Sequence, residues 1–188
     1  MLLLAGLETE LHYFLMKNTQ TINVPGRWDI LLRTFSLLKG LPVFEIKSGT
    51  KIGDVFDLNI SVCGTVTGLI VRKGTILKRS LLLKVKDVSS FGWDGVMVES
   101  HEVLEPIKKI NEYTFESQNP LTGKMMMTRE GERLGLLEDV YFLEEVGTII
   151  GYELSDGFFS DMLEGKRVVK TDIPPAIGKD AIIVNVKE

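Results

Sequence analysis

Gly49-Thr50-Lys51-Ile52-Gly53-Asp54-Val55-Phe56-Asp57-Leu58 returns 82 positions later as Gly131-Glu132-Arg133-Leu134-Gly135-Leu136-Leu137-Glu138-Asp139-Val140. Gly64-Thr65-Val66-Thr67-Gly68-Leu69 returns 83 positions on as Gly147-Thr148-Ile149-Ile150-Gly151-Tyr152, and residues 92–98 return as 178–184. What repeats is a framework of glycines, turns and apolar residues, while the charged residues change. A scaffold that repeats without a repeated reactive set is a duplicated fold, not a catalytic centre.

Outward from that repeat, the chain reads as short strands between glycine-rich turns. Residues 43–46, 52–58, 65–71, 81–86 and 96–98 are expected strands of a first unit. Residues 124–128, 134–142, 148–154, 167–170 and 181–186 are those of a second. Five or six strands per unit and no long helical stretch predict an all-β fold of two tandem small barrels, closed or nearly so, since closure removes exposed edges. The expected divisions are an N-terminal extension over 1–32, barrel 1 over 33–105, a polar linker over 106–119 and barrel 2 over 120–188. Residues 25–30 can be encoded by a purine-rich ribosome-binding sequence ahead of Leu31 and Leu32. The extension is therefore read as either disordered or untranslated.

The expected core of barrel 1 is Val43, Ile52, Val55, Leu58, Val66, Leu69, Val71, Leu83, Val85, Val96 and Val98. That of barrel 2 is Leu134, Val140, Ile149, Leu154, Val168, Ile182 and Val184. Gly49 and Gly131 suit positive-φ turns, and Gly53 and Gly135 suit bends or close strand approach.

Composition bounds the rest. With 44% hydrophobic and 26% charged residues the chain is neither disordered nor membrane-like. No apolar run approaches the roughly 20 residues of a membrane span, and Cys63, the sole cysteine, cannot form an intrachain disulfide. A cytoplasmic protein without membrane insertion is expected. Residues 31–105 carry ten Lys/Arg against eight Asp/Glu, and residues 106–188 ten against fifteen, so the first unit is faintly basic and the second acidic.

The passages from Gly40-Leu41-Pro42-Val43 to Leu69, and from Gly131 to Gly151, resemble the PRC-barrel family. This is the small β-barrel of the photosynthetic reaction-centre H subunit and of the ribosome maturation factor RimM. Two copies in tandem resemble the tandem PRC-barrel proteins of Gram-positive bacteria. The resemblance implies an interaction module with no general catalytic set and no cofactor.

The residues offer little reactive chemistry of their own. His12 and His101 stand apart, Cys63 has no histidine near it in sequence, and the acidic run Glu138-Asp139 with Glu144-Glu145 lacks the regular oxygen-ligand loop of a calcium site. No catalytic, cofactor or metal residue is assigned. Residues 158–165 could form a flap over a pocket, the feature that keeps a small enzyme as a third reading. The strongest charged feature is Arg72, Lys73, Lys78, Arg79, Lys84 and Lys86, on two hairpin strands and their turn, where one face would suit RNA phosphates or an acidic partner. No aromatic residues interleave with these cations to stack bases. The expectation is a non-enzymatic adaptor with a protein partner; the alternative is an RNA- or ribosome-associated factor using that basic face.

Overall fold

In the computed structural model, which describes residues 32–74, 79–107, 112–155, 167–171 and 173–186, short apolar runs become strands of two sheets. Strand β1 (Leu32–Thr34) leads into a four-residue helix, α1 (Phe35–Leu38), whose first turn is capped by the Thr34 hydroxyl accepting from Leu37 N–H at 3.4 Å. Then come β2 (Pro42–Glu45), β3 (Lys51–Ile60), β4 (Val66–Lys73), β5 (Arg79–Lys84), β6 (Ser90–Phe91), β7 (Val96–Val98), β8 (Glu105–Pro106) and β9 (Tyr113–Thr114). The second half supplies β10 (Met125–Thr128), β11 (Arg133–Leu143), β12 (Ile149–Ser155), β13 (Arg167–Lys170), β14 (Ala176–Ile177) and β15 (Ala181–Val184).

The first sheet runs β6-β7-β2-β3-β4-β5-β8 and the second β14-β15-β10-β11-β12-β13. Position for position the rows match over six strands, and the first adds β8 beyond β5. In each a single parallel pair, β2 with β7 and β10 with β15, sits among antiparallel neighbours. The irregularities match as well. Phe56 is an extra residue between Val55 and Asp57 where β3 faces β4, and Glu138 is an extra residue between Leu137 and Asp139 where β11 faces β12. A bulge of this kind changes which face the following side chain takes. It breaks the alternation along β3 and β11 and turns Asp57 and Asp139 into the interior, both buried.

Those two aspartates reveal how the halves are joined. β1 does not belong to the sheet of its own half: it pairs with β11, Arg33 opposite Phe142 and Thr34 opposite Tyr141. Reciprocally, β9 pairs with β3, Tyr113 opposite Ile60 and Thr114 opposite Asn59. Thr34-Phe35 and Thr114-Phe115 are thus corresponding residues, 80 apart, each placed on the other half's sheet. The Asp139 carboxylate accepts from Phe35 N–H at 3.0 Å and Ser36 N–H at 3.1 Å. The Asp57 carboxylate accepts from Glu116 N–H at 3.0 and 3.2 Å and from Ser117 N–H at 2.8 Å. Between the exchanged segments the Phe35 and Phe115 rings meet with centroids 5.0 Å apart.

The seam continues at the turns. Val66 N–H donates to Gly147 carbonyl oxygen at 2.9 Å, and Thr65 bridges Thr148. Gly147 has φ of +70° and lies so close to the Val66 carbonyl oxygen that any Cβ would fall on it. Only glycine fits there.

All the side chains expected in the first core are buried, and all those expected in the second except Val168, which is half-exposed. Val169 takes the inward place, because the register sets it opposite the buried Tyr152. The positive φ of Gly49 and Gly131 is present, and at Gly53 a Cβ would come within 2.6 Å of Val71 Cγ1, so strands do approach closely there.

The all-β fold holds; among the described residues the rows form no closed barrel, β6 and β8 ending one ladder and β13 and β14 the other. Bulges bend the sheets, and the partner half covers part of what closure would have covered. Within the stretch read as a linker, Pro106 lies in β8, Thr114 and Phe115 are buried against the first sheet, and Asn59–Ile60 extend β3 to receive them. The expected extension over residues 1–32 falls, apart from Leu32, outside the described residues.

Candidate functional site

The β4–β5 hairpin fixes where the basic residues stand. Its register sets Lys73 opposite Arg79, Arg72 opposite Ser80 and Gly68 opposite Lys84. Directly opposed residues of an antiparallel pair share a face, and alternate residues take opposite faces. Lys73 and Arg79 therefore project together at the turn end of the hairpin, both exposed. Arg72 takes the other face, its guanidinium 3.2 Å from the centroid of the bulged Phe56 ring. Lys84 is five residues from Arg79, about 17 Å at a strand's rise. Lys86 is exposed in the 3-10 turn Val85–Asp87, and Lys78 lies outside the described residues. The structure thus parts Arg72, Lys73 and Arg79 from Lys84 and Lys86.

The second group borders a groove of about 560 Å³. Leu82, Val85, Pro106 and Ile107 give it an apolar wall, and Val146, from the turn after β11, stands 60% exposed at its other side. Asn59 donates to Thr67 Oγ1 at 2.7 Å and to the Glu112 carboxylate, fixing one corner. Lys84 Nζ meets Glu105 Oε1 at 2.6 Å. That carboxylate bonds the ammonium and raises the lysine's pKa. With Glu112 and Glu145 also present, three carboxylates face two ammonium groups. The groove is amphipathic and of mixed charge, unlike a phosphate-binding track.

The remaining sequence candidates are occupied otherwise. Asp139 and Glu144 of the acidic run are buried at the seam, where Arg33 Nε donates to Glu144 Oε2 at 2.9 Å. Burial pushes both carboxyl groups above their ordinary range, against the opposing pull of their hydrogen-bond donors. Among the described residues no group of three or more His, Cys, Asp or Glu is placed to hold a metal ion. His101 Nδ1 lies 2.8 Å from Glu45 Oε1. The Ser48 hydroxyl and the His101 backbone N–H are the chief causes that lower Glu45 to about 2. Cys63 is exposed in a turn. His12 and the expected flap over 158–165 lie outside the described residues.

Sequence reasoning missed Asp57, Asp139, Arg33 and Glu144 as the residues that join the halves. Asp57 and Asp139 had a signal: the same aspartate stands at corresponding places of the repeat, inside an expected strand and with an apolar residue after it. Arg33 and Glu144 had none, since their repeat positions hold Tyr113 and Val62.

Comparison with known proteins adds two findings. The PRC-barrel domain family matches residues 114–188. YrrD of Bacillus subtilis (strain 168), an uncharacterized protein, is 36% identical over 160 residues, spanning 84% of this chain and 90% of YrrD. The chain belongs to the same family as YrrD, and its second half carries a PRC-barrel domain.

Proposed function

We propose that this PRC-barrel protein is a cytoplasmic, non-enzymatic adaptor built from two PRC-like units, and that it holds a protein partner in the amphipathic groove of the first sheet. The matching strand order of the two sheets supports reading residues 33–105 as a second unit of the same kind. The observation that carries the adaptor reading is how the charges are used. Asp57, Asp139, Arg33 and Glu144 are buried and tie one half to the other, and the groove combines apolar walls with mixed charge. Such a surface suits a polypeptide, whose binding rests on a desolvated apolar centre with a polar rim.

A single observation favours nucleic acid instead: Lys73 and Arg79 side by side at the hairpin end. The test is affinity capture of the tagged full chain from its native host, with and without ribonuclease. The adaptor reading expects a discrete protein that survives ribonuclease and is lost with Val146→Asp. Recovery of RNA that depends on Lys73 and Arg79, with no protein sensitive to Val146→Asp, overturns it.

A further inference from the structure

The seam treats the two units alike. Phe35 and Phe115 are corresponding residues, 80 apart, and their rings meet each other. Thr65 and Thr148 are corresponding residues, 83 apart, and bridge each other. A residue that meets its own counterpart marks a twofold, self-complementary contact. The rest of the seam obeys the same rule. β1 lies on β11 as β9 lies on β3, and Asp139 holds the backbone of Phe35 and Ser36 as Asp57 holds that of Glu116 and Ser117. A positive-φ glycine stands at both turns, Gly64 and Gly147. None of these contacts distinguishes a unit from its counterpart. Among the described residues the buried ion pair does: Arg33 Nε donates to Glu144 Oε2 at 2.9 Å. Were two first units to meet, each Arg33 would face the turn Ser61-Val62-Cys63, which holds no carboxylate. Were two second units to meet, each Glu144 would face the segment from Tyr113 to Asn119, which holds no cation. A buried charge without its partner is strongly disfavoured. Lys39–Glu116 also joins unlike units, but it is exposed and weighs little.

We propose that the seam is a self-pairing surface that a second copy of this chain can enter, like unit with like unit, and that Arg33–Glu144 keeps it closed between the unlike units of one chain. A buried ion pair adds little to stability over an apolar replacement, so the role left to it is selection. One wrong pairing strands two guanidinium groups and the other strands two carboxylates, which is specificity by penalty on the competitor. The proposal concerns the seam and is independent of the groove beside β5.

The test moves the carboxylate within the full chain. Val62→Glu/Glu144→Leu leaves Arg33 unpaired in the closed chain and gives it a partner only when the first units of two copies meet. That chain is expected to show twice the parent's mass by light scattering. Arg33→Met/Glu144→Leu removes the selection, so both pairings should form on refolding at about millimolar chain, near the effective concentration of linked units. A cysteine reports which units meet. In a Cys63→Ser background, Thr65→Cys alone cross-links two chains through like first units, since bridged residues lie about 4.5–5.5 Å apart, within disulfide reach. Its covalent dimer should rise at least about tenfold over the parent in both variants. Thr65→Cys together with Thr148→Cys should instead cross-link within one chain of the parent. The proposal is overturned if the parent dimerises through Thr65→Cys as readily as the variants, or if a folded variant does not raise that dimer. Should Val62→Glu/Glu144→Leu fail to fold, the cross-link in Arg33→Met/Glu144→Leu decides alone. Dimers that cross-link only between Thr65→Cys and Thr148→Cys are exchanged unlike units and also overturn it.

Discussion

Asp57 and Asp139 hold corresponding places in the two sheets and grip corresponding segments, yet the two grips are built differently. Asp57 is fully buried; it accepts from Glu116 and Ser117 N–H and also from its neighbour Leu58 N–H at 2.8 Å. Asp139 is 5% exposed and accepts from Phe35, Ser36 and Val140 N–H. Around Asp139 a second device is added, the buried Arg33–Glu144 pair, and Arg33 also donates to the Phe91 carbonyl oxygen and stacks 5.0 Å from the Trp93 ring. Around Asp57 the corresponding Tyr113 donates to Ile177 oxygen at 3.0 Å, and the ion pair there, Lys39 with Glu116, is solvent-exposed. One geometry has thus been secured twice, with only exposed charge added on one side and with buried charge on the other. The difference suggests that the first grip depends more heavily on its single aspartate.

The largest expected effect tests that dependence. Asp57→Ala strands buried N–H groups at about 1–3 kcal/mol each, and a loss of about 3–5 kcal/mol in urea unfolding is expected, near the top of the range for point changes. Asp139→Ala should cost less, about 2–3 kcal/mol, because the ion pair still holds β1. The reverse order would break the comparison. Next is Arg33→Ala, which abandons a buried Glu144 and should cost about 3 kcal/mol. The paired Arg33→Met/Glu144→Leu change should be near neutral, which a double-mutant cycle would read directly. Gly147→Ala should cost about 2 kcal/mol or more, from the positive φ and the Val66 carbonyl. Its counterpart Gly64→Ala, which meets side-chain atoms of Pro175 at 2.8 Å and of Tyr152 at 3.7 Å in place of a carbonyl oxygen, should cost less.

Smaller effects sharpen the picture. Asp139 and Glu144 sit above their ordinary values in the folded chain. On acidification the folded form takes up these protons before the unfolded form does. Their contribution to stability is therefore full below the ordinary carboxylate range and is lost as pH rises through the folded values. Urea midpoints from about pH 4 to 7 should show that slope, and Asp139→Asn/Glu144→Gln should flatten it. Glu45 acts in the opposite sense, its contribution present above 4.5 and lost as pH falls toward about 2. The smallest effect is expected from Lys73→Ala/Arg79→Ala, within about 0.5 kcal/mol of the parent. If RNA were the partner, that pair would lower the slope of log K against log salt by about one unit or less per lost contact.

Much of the fold was legible because it is local. Val55, Leu69, Val71 and Val96 were placed inside by period and turn signals, and Gly49 and Gly131 by the turns they make. Val168 failed although its strand was expected at the observed bounds: alternation leaves two choices of inward face, and only the register against Tyr152 selects Val169. The basic cluster was read from nearness in sequence, but a strand's alternation and length divide it, and Glu105 reaches Lys84 from 21 residues away.

Nearness in sequence and a returning pattern were enough to read the longer strands and the turns from the residues themselves. Tertiary structure alone decided which half receives which segment. A carboxylate such as Asp57 accepts equally well from the backbone of either Thr34-Phe35-Ser36 or Thr114-Phe115-Glu116, since N–H groups carry no label of the unit they come from. The choice between closing on itself and exchanging with its partner rests on chain connection and on the meeting of Phe35 with Phe115 and Val66 with Gly147. Those contacts exist only once both sheets are in place.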